Sequence, residues 1–347
     1  MSASHSWPEV LTALIAGSDL TAEQADWAMG EVLAGEATPA QIAGFAVALR
    51  SKGETVEEMT GLVEAMYRHC TPITVTGRVL DVVGTGGDRS MSVNISTMAA
   101  IVAAGAGAPV VKHGNRSASS KAGSADVLEV LGVRLDLPPA EVARIGAEAG
   151  ITFCFAPAFH PALRHAAVPR RELGVGTVFN FLGPLAHPAK PAAQAIGCAD
   201  VRMAPRMAGV FARRGVDAWV FRGDDGLDEL TTTTTSRVWA VRAEDPQVAE
   251  FTVDPHRFGL GGGTAEGLRG RDATHNAEVV RRLVAGEPGQ VRDAVLLNAG
   301  AALAVHSDEP GSFEDRLAAG VERARAALDD GDAAATLDRW VELCSRS

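Results

Sequence analysis

Aromatic residues and cysteines are scarce in this sequence, and each shortage narrows the class of protein. Aromatic side chains make up 5% of the 347 residues, so we expect helices that pack closely through Ala and Gly rather than through aromatic stacking. The four cysteines lie far apart and form no CxxC pair: Cys70, Cys154, Cys198 and Cys344. Isolated thiols are typical of a reducing compartment, and we expect buried structural thiols in a cytoplasmic protein.

Long apolar runs and an excess of positive charge are also missing. No stretch approaches the ~20 uncharged apolar residues of a membrane span, and residues 1–8 contain no basic segment leading into an apolar run, as a signal peptide would. The net charge of −11 argues against nucleic acid or an anionic membrane as a partner. It does not exclude an anionic small molecule, because backbone amides and a few cations can reverse the field inside one cleft.

Several motifs that carry chemistry in other proteins are absent. The sequence contains neither GxGxxG nor GxxxxGK[ST], so the standard dinucleotide and P-loop sites are excluded. The nine histidines are scattered, and His160 and His165 are too far apart for the HExxH zinc motif. We expect a structural role for each histidine, and no Ser-His-Asp set is evident.

The first seventy residues carry the start signals of helices. Three segments fit a capping box, in which an N-terminal Thr is followed three residues later by Gln or Glu: residues 21–24, 38–41 and 55–58. Gly35 and Gly53 follow two of the predicted helices, at the position where a left-handed cap favours glycine. The pattern predicts a small helical domain over residues 1–74.

Short apolar runs alternate with helical stretches in the rest of the chain. Four runs predict buried strands, at residues 79–83, 110–111, 151–155 and 218–221. Helices are predicted between them, at residues 96–105 and 125–131. This alternation predicts an α/β domain over residues 75–347 with a mainly parallel central sheet, in which ligands bind beyond the carboxyl ends of the strands.

Two polar, glycine-rich loops follow the first two predicted strands. Residues 84–88 read GTGGD and are followed by NIST at 94–97, where a helix begins; residues 112–124 read KHGNRSASSKAGS. Glycines let backbone amides approach an anion closely, and a helix N-terminus offers free N–H groups and positive dipole. Alone, the first loop is compatible with an ordinary strand-to-helix turn, and the second with a solvated basic loop. Together they favour phosphate binding.

A third loop, residues 224–229, reads DDGLDE after the predicted strand at 218–221. Adjacent carboxylates at the carboxyl edge of a sheet repel each other unless a cation lies there, and carboxylate oxygens suit Mg²⁺. Alone this segment could be a solvated acidic turn, but beside two anion loops the metal hypothesis is favoured.

We interpret the glycine cluster at 259–263, which no predicted strand precedes, as a plain loop. We interpret the threonine run at 231–235 as a strand or strand edge.

Five blocks of the sequence together carry a family resemblance. They are residues 84–88, 94–97, 112–116, 183–185 and 226–229. In order and spacing they are similar to anthranilate phosphoribosyltransferases, and the similarity runs from the N-terminal helices to the segment around Asn298. The resemblance implies a magnesium-dependent enzyme of tryptophan biosynthesis. It would transfer the phosphoribosyl group of 5-phosphoribosyl 1-diphosphate to the amino group of anthranilate, giving N-(5-phosphoribosyl)anthranilate and diphosphate.

The resemblance also implies the fold and the site residues. The fold would be that of nucleoside phosphorylases and phosphoribosyltransferases, a helical domain hinged to the α/β domain, with residues 168–188 packing toward the helical part and a homodimer formed through it. Phosphoribosyl diphosphate would contact Gly84, Gly87, Asp88, Ser92, Asn94, Ile95, Ser96, Thr97, Lys112, His113, Gly114, Asn115, Arg116, Ser117, Ala118, Ser119, Ser120 and Ser124. Anthranilate would contact Gly84, Asn115 and Arg170, with His113 close by. Two magnesium ions per subunit would be held by Ser96, Asp228 and Glu229.

Some positions depart from the family's common pattern. Arg89 stands where glycine is frequent, and Ser92 where threonine is frequent. Pro169 precedes Arg170, Gly176 replaces a frequent arginine, and His187 replaces the usual asparagine of GPLxNP. Serine in place of threonine at position 92 keeps the hydroxyl. The changes around Arg170 and His187 lie near the expected aromatic-acid site and do not touch the predicted phosphate or metal residues.

Two other functions remain to be weighed against the transferase. A nucleoside phosphorylase of the related fold would bind inorganic phosphate and a pyrimidine nucleoside. The adjacent Asp228 and Glu229 argue against it, because that reaction needs no metal-bound diphosphate. A non-catalytic paralogue that senses metabolites is the alternative from another class, and the intact loops argue against it.

Overall fold

The computed structural model describes residues 5–117 and 121–347. Its contacts divide the chain into two compact units. The first unit comprises Met1–Pro72 and Ala156–Pro188, and the second comprises Ile73–Phe155 and Ala189–Ser347. The chain therefore leaves the second unit after Phe155 and returns to it at Ala189.

The helices and strands follow one another along the whole chain. The helices are α1 (Trp7–Ile15), α2 (Ala22–Ala34), α3 (Pro39–Lys52), α4 (Val56–His69), α5 (Ile95–Gly105), α6 (Ser124–Leu131), α7 (Pro139–Ala149), α8 (Ala156–Phe159), α9 (Ala167–Leu173), α10 (Phe179–Leu185), α11 (Ala204–Arg214), α12 (Ala273–Val284), α13 (Gln290–His306), α14 (Phe313–Asp329) and α15 (Asp332–Ser345). The strands are β1 (Leu80–Gly84), β2 (Val110–Gly114), β3 (Ile151–Phe155), β4 (Ala193–Gly197), β5 (Asp217–Gly223), β6 (Ser236–Arg242) and β7 (Asp245–Val253). Short 3₁₀ turns lie at Pro161–Ala166 and Pro255–Phe258.

The first unit is helical and contains α1–α4 and α8–α10. The three predicted capping boxes are confirmed: the hydroxyls of Thr21, Thr38 and Thr55 accept hydrogen bonds from backbone amides three residues later. Helices α2 and α4 pack closely at Gly61, where a Cβ would lie 2.1 Å from the carbonyl oxygen of Ala22. Close packing through a small residue agrees with the low aromatic content.

The second unit contains a seven-stranded sheet in the order β3-β2-β1-β4-β5-β6-β7. The strands from β3 to β5 are parallel, and β6 and β7 add an antiparallel edge. The predicted fold class, a helical N-terminal part and an α/β part with a mainly parallel sheet, is confirmed. All four predicted strands are present, and the structure adds β4, β6 and β7, which were not predicted.

Two interpretations of loops need correction. The threonine run at 231–235 is not a strand; it is an irregular loop that ends where β6 begins at Ser236. The glycine cluster at 259–263 is a loop as expected, but the long strand β7 and a 3₁₀ turn precede it. Glycine and threonine runs carry little periodic signal, which explains both differences.

Parallel strands bring four glycines to one edge of the sheet. Strands β1, β2, β4 and β5 each end in glycine, at Gly84, Gly114, Gly197 and Gly223, and Gly84 pairs directly with Gly197. The loops that leave this edge can therefore approach one another closely. Within the part of the chain that the structure describes, no helix has both the length and the apolar character needed to span a bilayer.

Candidate active site

The site is built around Asp228, whose carboxylate lies at the carboxyl edge of the sheet in the second unit. A Cβ on Gly84 would lie 2.3 Å from Asp228 Oδ2, and a Cβ on Gly197 would lie 1.6 Å from the Asp228 carbonyl oxygen. No side chain fits at either position. Asp228 can therefore occupy this position only because β1 and β4 end in glycine.

Asp228 and Glu229 each bond to a backbone amide of the first glycine-rich loop or the helix after it. The amide of Gly86 donates to Asp228 Oδ2 at 2.6 Å, and the amide of Ser96 donates to Glu229 Oε1 at 3.1 Å. Asp228 is 9% exposed and Glu229 6% exposed. The third loop is thus tied to the first loop and to the N-terminus of α5, where negative charge is favourable.

Burial and mutual repulsion favour the protonated form of Asp228 and Glu229 in the ligand-free protein. Burial, and next the charge of Asp88, raise the pKa of Asp228 to about 7. Burial and the charge of Asp228 raise the pKa of Glu229 well above its ordinary value, and Lys112 opposes this effect. Burial lowers the pKa of Lys112, although nearby carboxylates partly offset it. An added cation would stabilise the ionised carboxylates.

The donor set suits magnesium with most of its ligands supplied by substrate and water. Within the described ranges 5–117 and 121–347, no group of three or more His, Cys, Asp or Glu could hold a metal ion by itself. Mg²⁺ commonly binds one or two carboxylates and takes its remaining ligands from phosphates and water. The buried, mutually repelling oxygens of Asp228 and Glu229 fit that requirement.

Lys112 lies inside the sheet rather than in the second loop, where the sequence analysis had placed it. Strand β2 extends to Gly114, and Lys112 is 1% exposed. Its Nζ donates to the carbonyl oxygen of Val82 at 2.5 Å and to Ser96 Oγ at 3.3 Å. The ammonium group is therefore an internal counter-charge between the loops and the carboxylates.

The first turn of α5 presents donors in the same region. Ile95 and Thr97 are both 1% exposed, and Ser96 already contacts Glu229 and Lys112. The Thr97 hydroxyl is buried without a hydrogen-bond partner among the residues that the structure describes. An unpaired buried hydroxyl at a helix N-terminus is suited to an anion that the turn accommodates.

The first loop has an unusual backbone. Gly86 and Gly87 have φ of 69° and 85°, and Arg89 and Met91 have φ of 61° and 56°. A side chain in this left-handed region is strained, which agrees with the frequent glycine at the family position of Arg89. Asp88 Oδ1 accepts a hydrogen bond from the amide of Ser90 at 3.2 Å, and Ser92 lies in the same turn, where its amide donates to the Ser90 hydroxyl.

The second loop leaves β2 after Gly114 and closes on α6. The Ser124 hydroxyl donates to the carbonyl oxygen of Asn115 at 3.3 Å, and the amide of Ser117 donates to Asp126 at 3.4 Å. A Cβ on Gly114 would lie 2.5 Å from Ser124 Oγ. The predicted residues Asn115, Ser117 and Ser124 are therefore together. The predicted residues Ala118, Ser119 and Ser120 lie outside the described part of the chain.

The remaining basic and aromatic side chains of this loop have internal contacts. Arg116 Nη1 lies 2.7 Å from both Asp126 Oδ1 and Glu129 Oε2, so two carboxylates already neutralise its charge. The amide of His113 donates to the buried Asp81 at 3.0 Å, and the His113 ring is buried in β2. Arg116 and the backbone of His113 thus already have partners within the second unit.

The first two acids of the third loop have a structural role. Asp225 Oδ2 accepts hydrogen bonds from the hydroxyls of Thr231 at 2.7 Å and Thr233 at 2.5 Å. Asp224 Oδ2 accepts one from Thr235 at 2.6 Å. These contacts shape the turn between β5 and β6 and explain the threonine run. Among the four acids, Asp228 and Glu229 remain for a metal.

A buried asparagine, to which the sequence assigned no role, fixes the backbone beside the carboxylates. Asn298, in α13, is fully buried. Its Oδ1 accepts from the amide of Leu230 at 2.9 Å, and its Nδ2 donates to the carbonyl oxygen of Leu230 at 2.8 Å. The side chain therefore pairs with both polar groups of the residue after Glu229. Only proximity in the fold, and no local motif, reveals this contact.

Arg170 belongs to the first unit, in α9. Its guanidinium carbon lies 5.5 Å from the ring centroid of Phe179, and burial lowers its pKa. Among the described residues no carboxylate forms an ion pair with Arg170. A half-buried, aromatic-stacked guanidinium without an internal ion-pair partner is suited to a ligand carboxylate.

The same unit contains two buried histidines. His160 is 4% exposed and His187 fully buried. Burial, and next the neighbouring His187, lower the pKa of His160 to about 4, so His160 is neutral at physiological pH. His187, which stands where the family usually has asparagine, is thus part of the core of this unit.

Two family models together match almost the whole chain. That of the glycosyl transferase family, helical bundle domain, matches residues 8–70. That of the glycosyl transferase family, a/b domain, matches residues 76–334. An anthranilate phosphoribosyltransferase of Nocardioides sp. is 74% identical over 341 residues, covering 98% of this chain and 99% of that protein. One of Arthrobacter sp. is 60% identical and covers 98% of this chain and 97% of that protein.

Solved structures agree with the sequence comparisons. The anthranilate phosphoribosyltransferase of Thermus thermophilus is 40% identical, with a TM-score of 0.90 over 97% of this chain and 99% of that one. The structure of the enzyme from Saccharomyces cerevisiae in complex with PRPP and Mg has a TM-score of 0.88 over 98% of both chains. Because its sequence identity is only 24%, this second structure supports the fold alone.

Proposed function

The chain belongs to the anthranilate phosphoribosyltransferase family, and we infer which of its residues bind each substrate and the metal. It transfers the phosphoribosyl group of 5-phosphoribosyl 1-diphosphate to the amino group of anthranilate, in tryptophan biosynthesis. The inference rests on two hydrogen bonds. The amide of Gly86 donates to the buried Asp228, and the amide of Ser96 donates to the buried Glu229. These bonds connect a candidate metal site to the segment expected to bind diphosphate.

The reaction requires little acid–base chemistry from the protein. The amine nitrogen forms a bond to the anomeric carbon, the bond from that carbon to diphosphate breaks with its electron pair on oxygen, and the nitrogen loses a proton. An aromatic amine is already neutral at pH 7. The barrier lies in the departure of a highly charged group from an oxocarbenium-like carbon, so positioning and electrostatic stabilisation supply most of the catalysis.

We assign phosphoribosyl diphosphate to the two glycine-rich loops and the first turn of α5. Three observations support this: the left-handed glycines of the first loop, the unpaired Thr97 hydroxyl and the buried ammonium of Lys112. The contacting residues would be Gly84, Gly87, Asp88, Ser92, Asn94, Ile95, Ser96, Thr97, Lys112, His113, Gly114, Asn115, Arg116, Ser117, Ala118, Ser119, Ser120 and Ser124. We propose a helical domain of residues 1–74, with residues 168–188 packing toward it, and an α/β domain of residues 75–347. The compact units differ from these limits in assigning all of Ala156–Pro188 to the first unit.

Anthranilate is assigned to Gly84, Asn115 and Arg170. The planar guanidinium of Arg170 can form two parallel hydrogen bonds with the carboxylate. Magnesium is assigned to Ser96, Asp228 and Glu229, with two ions per subunit. When bound, it neutralises the charge that develops on the leaving diphosphate.

We further propose a cytoplasmic homodimer that forms through the helical unit. Four large apolar side chains of that unit are exposed: Ile15, Val47, Val168 and Val175. All four cysteines are thiols rather than disulfides, which suits a reducing compartment. Light scattering coupled to size exclusion measures the assembly, and a monomer would refute the dimer.

One assay tests the function and separates it from the alternatives. Protein, Mg²⁺, anthranilate and phosphoribosyl diphosphate are mixed, and the loss of anthranilate fluorescence is followed while each component is omitted in turn. We expect turnover only in the complete mixture. Cleavage of a pyrimidine nucleoside by inorganic phosphate, in the absence of phosphoribosyl diphosphate, would indicate a nucleoside phosphorylase. Binding of the ligands without turnover would indicate a sensor.

A further inference from the structure

Residues 268–271, here named the tether, pair with the first phosphate loop although they are remote in sequence. The amide of Val93 donates to the carbonyl oxygen of Leu268 at 2.8 Å, and the amide of Gly270 donates to that of Met91 at 2.7 Å. Ser92 and Arg269 form an isolated antiparallel bridge between these contacts. The tether comes after the glycine cluster at 259–263, to which the sequence analysis assigned no function.

The tether contacts the loop without intervening side chains. A Cβ on Gly270 would lie 2.6 Å from the carbonyl oxygen of Ser92, so only glycine permits this approach. Met91, whose carbonyl the tether binds, has φ of 56°. A left-handed backbone at a residue other than glycine persists only where surrounding contacts maintain it. The tether supplies such contacts.

A chain of side-chain hydrogen bonds extends from the tether across both phosphate loops. Asn276, in α12, is 2% exposed. Its Oδ1 accepts from the amide of Arg271 at 2.8 Å, and its Nδ2 donates to Asn94 Oδ1 at 2.9 Å. Asn94 Nδ2 then donates to the carbonyl oxygen of Ala122, in the second loop, at 3.1 Å.

The main chain at each end sets the direction of these bonds. The Arg271 amide can only donate, so Asn276 must turn its oxygen toward it and its nitrogen toward Asn94. Asn94 must then present its oxygen to Asn276 and its nitrogen to Ala122, whose carbonyl can only accept. The same conclusion follows from either end. Asn94 therefore does not cap α5 with its side chain; it joins the two loops.

We propose that Asn276 is a positioning residue that holds the two phosphate loops at the separation phosphoribosyl diphosphate requires. The proposal rests on the proposed function, since it concerns the same substrate. Asn276 acts through Asn94, which is among the residues assigned to the substrate, and it is not itself expected to touch the ligand. Helix α12 also buries Ala277, Val279, Val280 and Leu283, so its packing does not depend on the asparagine.

The test compares two substitutions at Asn276 with a buried control on the same helix. Asn276→Asp keeps the acceptor for Arg271 but places a carboxylate against Asn94 Oδ1, and Asn276→Ala removes both bonds. Val279→Ala removes apolar packing from α12 without touching the chain of bonds. For each protein, the dissociation constant for phosphoribosyl diphosphate with Mg²⁺ is measured by calorimetry, together with the KM for both substrates and the melting temperature.

We expect both Asn276 variants to bind phosphoribosyl diphosphate about tenfold more weakly, the effect of losing one to two buried hydrogen bonds. The KM for anthranilate should stay within about twofold of wild type in this comparison. Val279→Ala should melt at a lower temperature with an unchanged dissociation constant. Unchanged affinity in both folded Asn276 variants would overturn the proposal, as would equal weakening by Val279→Ala. Failure of the wild-type protein to bind phosphoribosyl diphosphate would instead refute the proposed function.

Discussion

Replacing Asp228 by asparagine should stabilise the ligand-free protein and abolish efficient use of magnesium. The amide oxygen of the introduced side chain can still accept the hydrogen bond that Gly86 donates at 2.6 Å in the native protein. The change removes the buried charge. Because the pKa of Asp228 is raised from 3.8 to about 7, ionising it in the folded state costs roughly 4 kcal/mol at about 1.4 kcal/mol per pKa unit.

The pH dependence of this effect has a definite sign. Between pH 3.8 and about 7 the folded protein binds a proton at Asp228 that the unfolded chain has lost. The contribution of Asp228 to stability is therefore present below its unfolded pKa and is lost as the pH rises through its folded pKa. The stability gained by Asp228→Asn should grow as the pH rises from 4 to 7 and then level off.

Glu229→Gln is the informative comparison, because Glu229 faces the buried ammonium of Lys112. Removing that charge takes away a partner that favours the protonated lysine, so we expect a smaller gain or a loss of stability. The double variant, Asp228→Asn with Glu229→Gln, should fall between the two. Both single variants should need more magnesium and show a strongly reduced kcat.

Two measurements check this reasoning. Melting temperatures are recorded from pH 5 to 8 without ligands, where roughly 2–4 °C per kcal/mol is expected for a unit of this size. Turnover is then measured across a magnesium titration. A large fall in melting temperature for Asp228→Asn with normal activity would show that the carboxylate is structural. Full activity at low magnesium would remove the metal assignment.

Three further sets of substitutions test separate parts of the site. Arg170→Ala should weaken the use of anthranilate by ~1.5–3 kcal/mol, the range for hydrogen bonds to charged groups, and spare phosphoribosyl diphosphate binding; the reverse pattern in KM values would contradict the assignment. Gly86→Val and Gly87→Val should cripple phosphoribosyl diphosphate binding, because φ is 69° and 85° there, whereas Thr85→Ser should bind normally; full affinity in folded valine variants would make the loop a plain turn. Asn298→Leu should cost ~2–4 kcal/mol by leaving the amide and carbonyl of Leu230 unpaired and should raise the magnesium requirement; an unchanged requirement in a magnesium titration would exclude the positioning role.

Local signals in the sequence account for much of the fold. Capping boxes are written in residues three apart, so the starts of α2, α3 and α4 could be placed without any tertiary information. The apolar run at 151–155 coincides with β3. Strand β4 was missed, although its sequence, AQAIG, is short, apolar and ends in glycine like β1. The buried Gln194 within it weakens the apolar signal.

Burial is the property that local patterns predict least well. Lys112 was expected in a polar, phosphate-binding loop after the second predicted strand, yet it is 1% exposed and lies within β2. Arg116 was grouped with it, yet it pairs with two acids of α6. The sequence shows that Lys112, Arg116 and Lys121 cluster at and after the end of β2. Which of them turns inward depends on the carboxylates that other segments bring to the same place.

Patterns of neighbouring residues were enough to predict the starts of α2, α3 and α4, the strands at 79–83 and 151–155, and the adjacent acids at 228 and 229. The glycines that end β2, β4 and β5 were recognised only in the folded chain. The contacts between side chains that are distant in sequence could be seen only in the folded chain. Asn276 and Asn94 are separated by 182 positions, and Leu230 and Asn298 by 68. Hydrogen bonds of this kind form because the sheet brings the ends of its parallel strands to one edge, where helices from later in the chain pack against them.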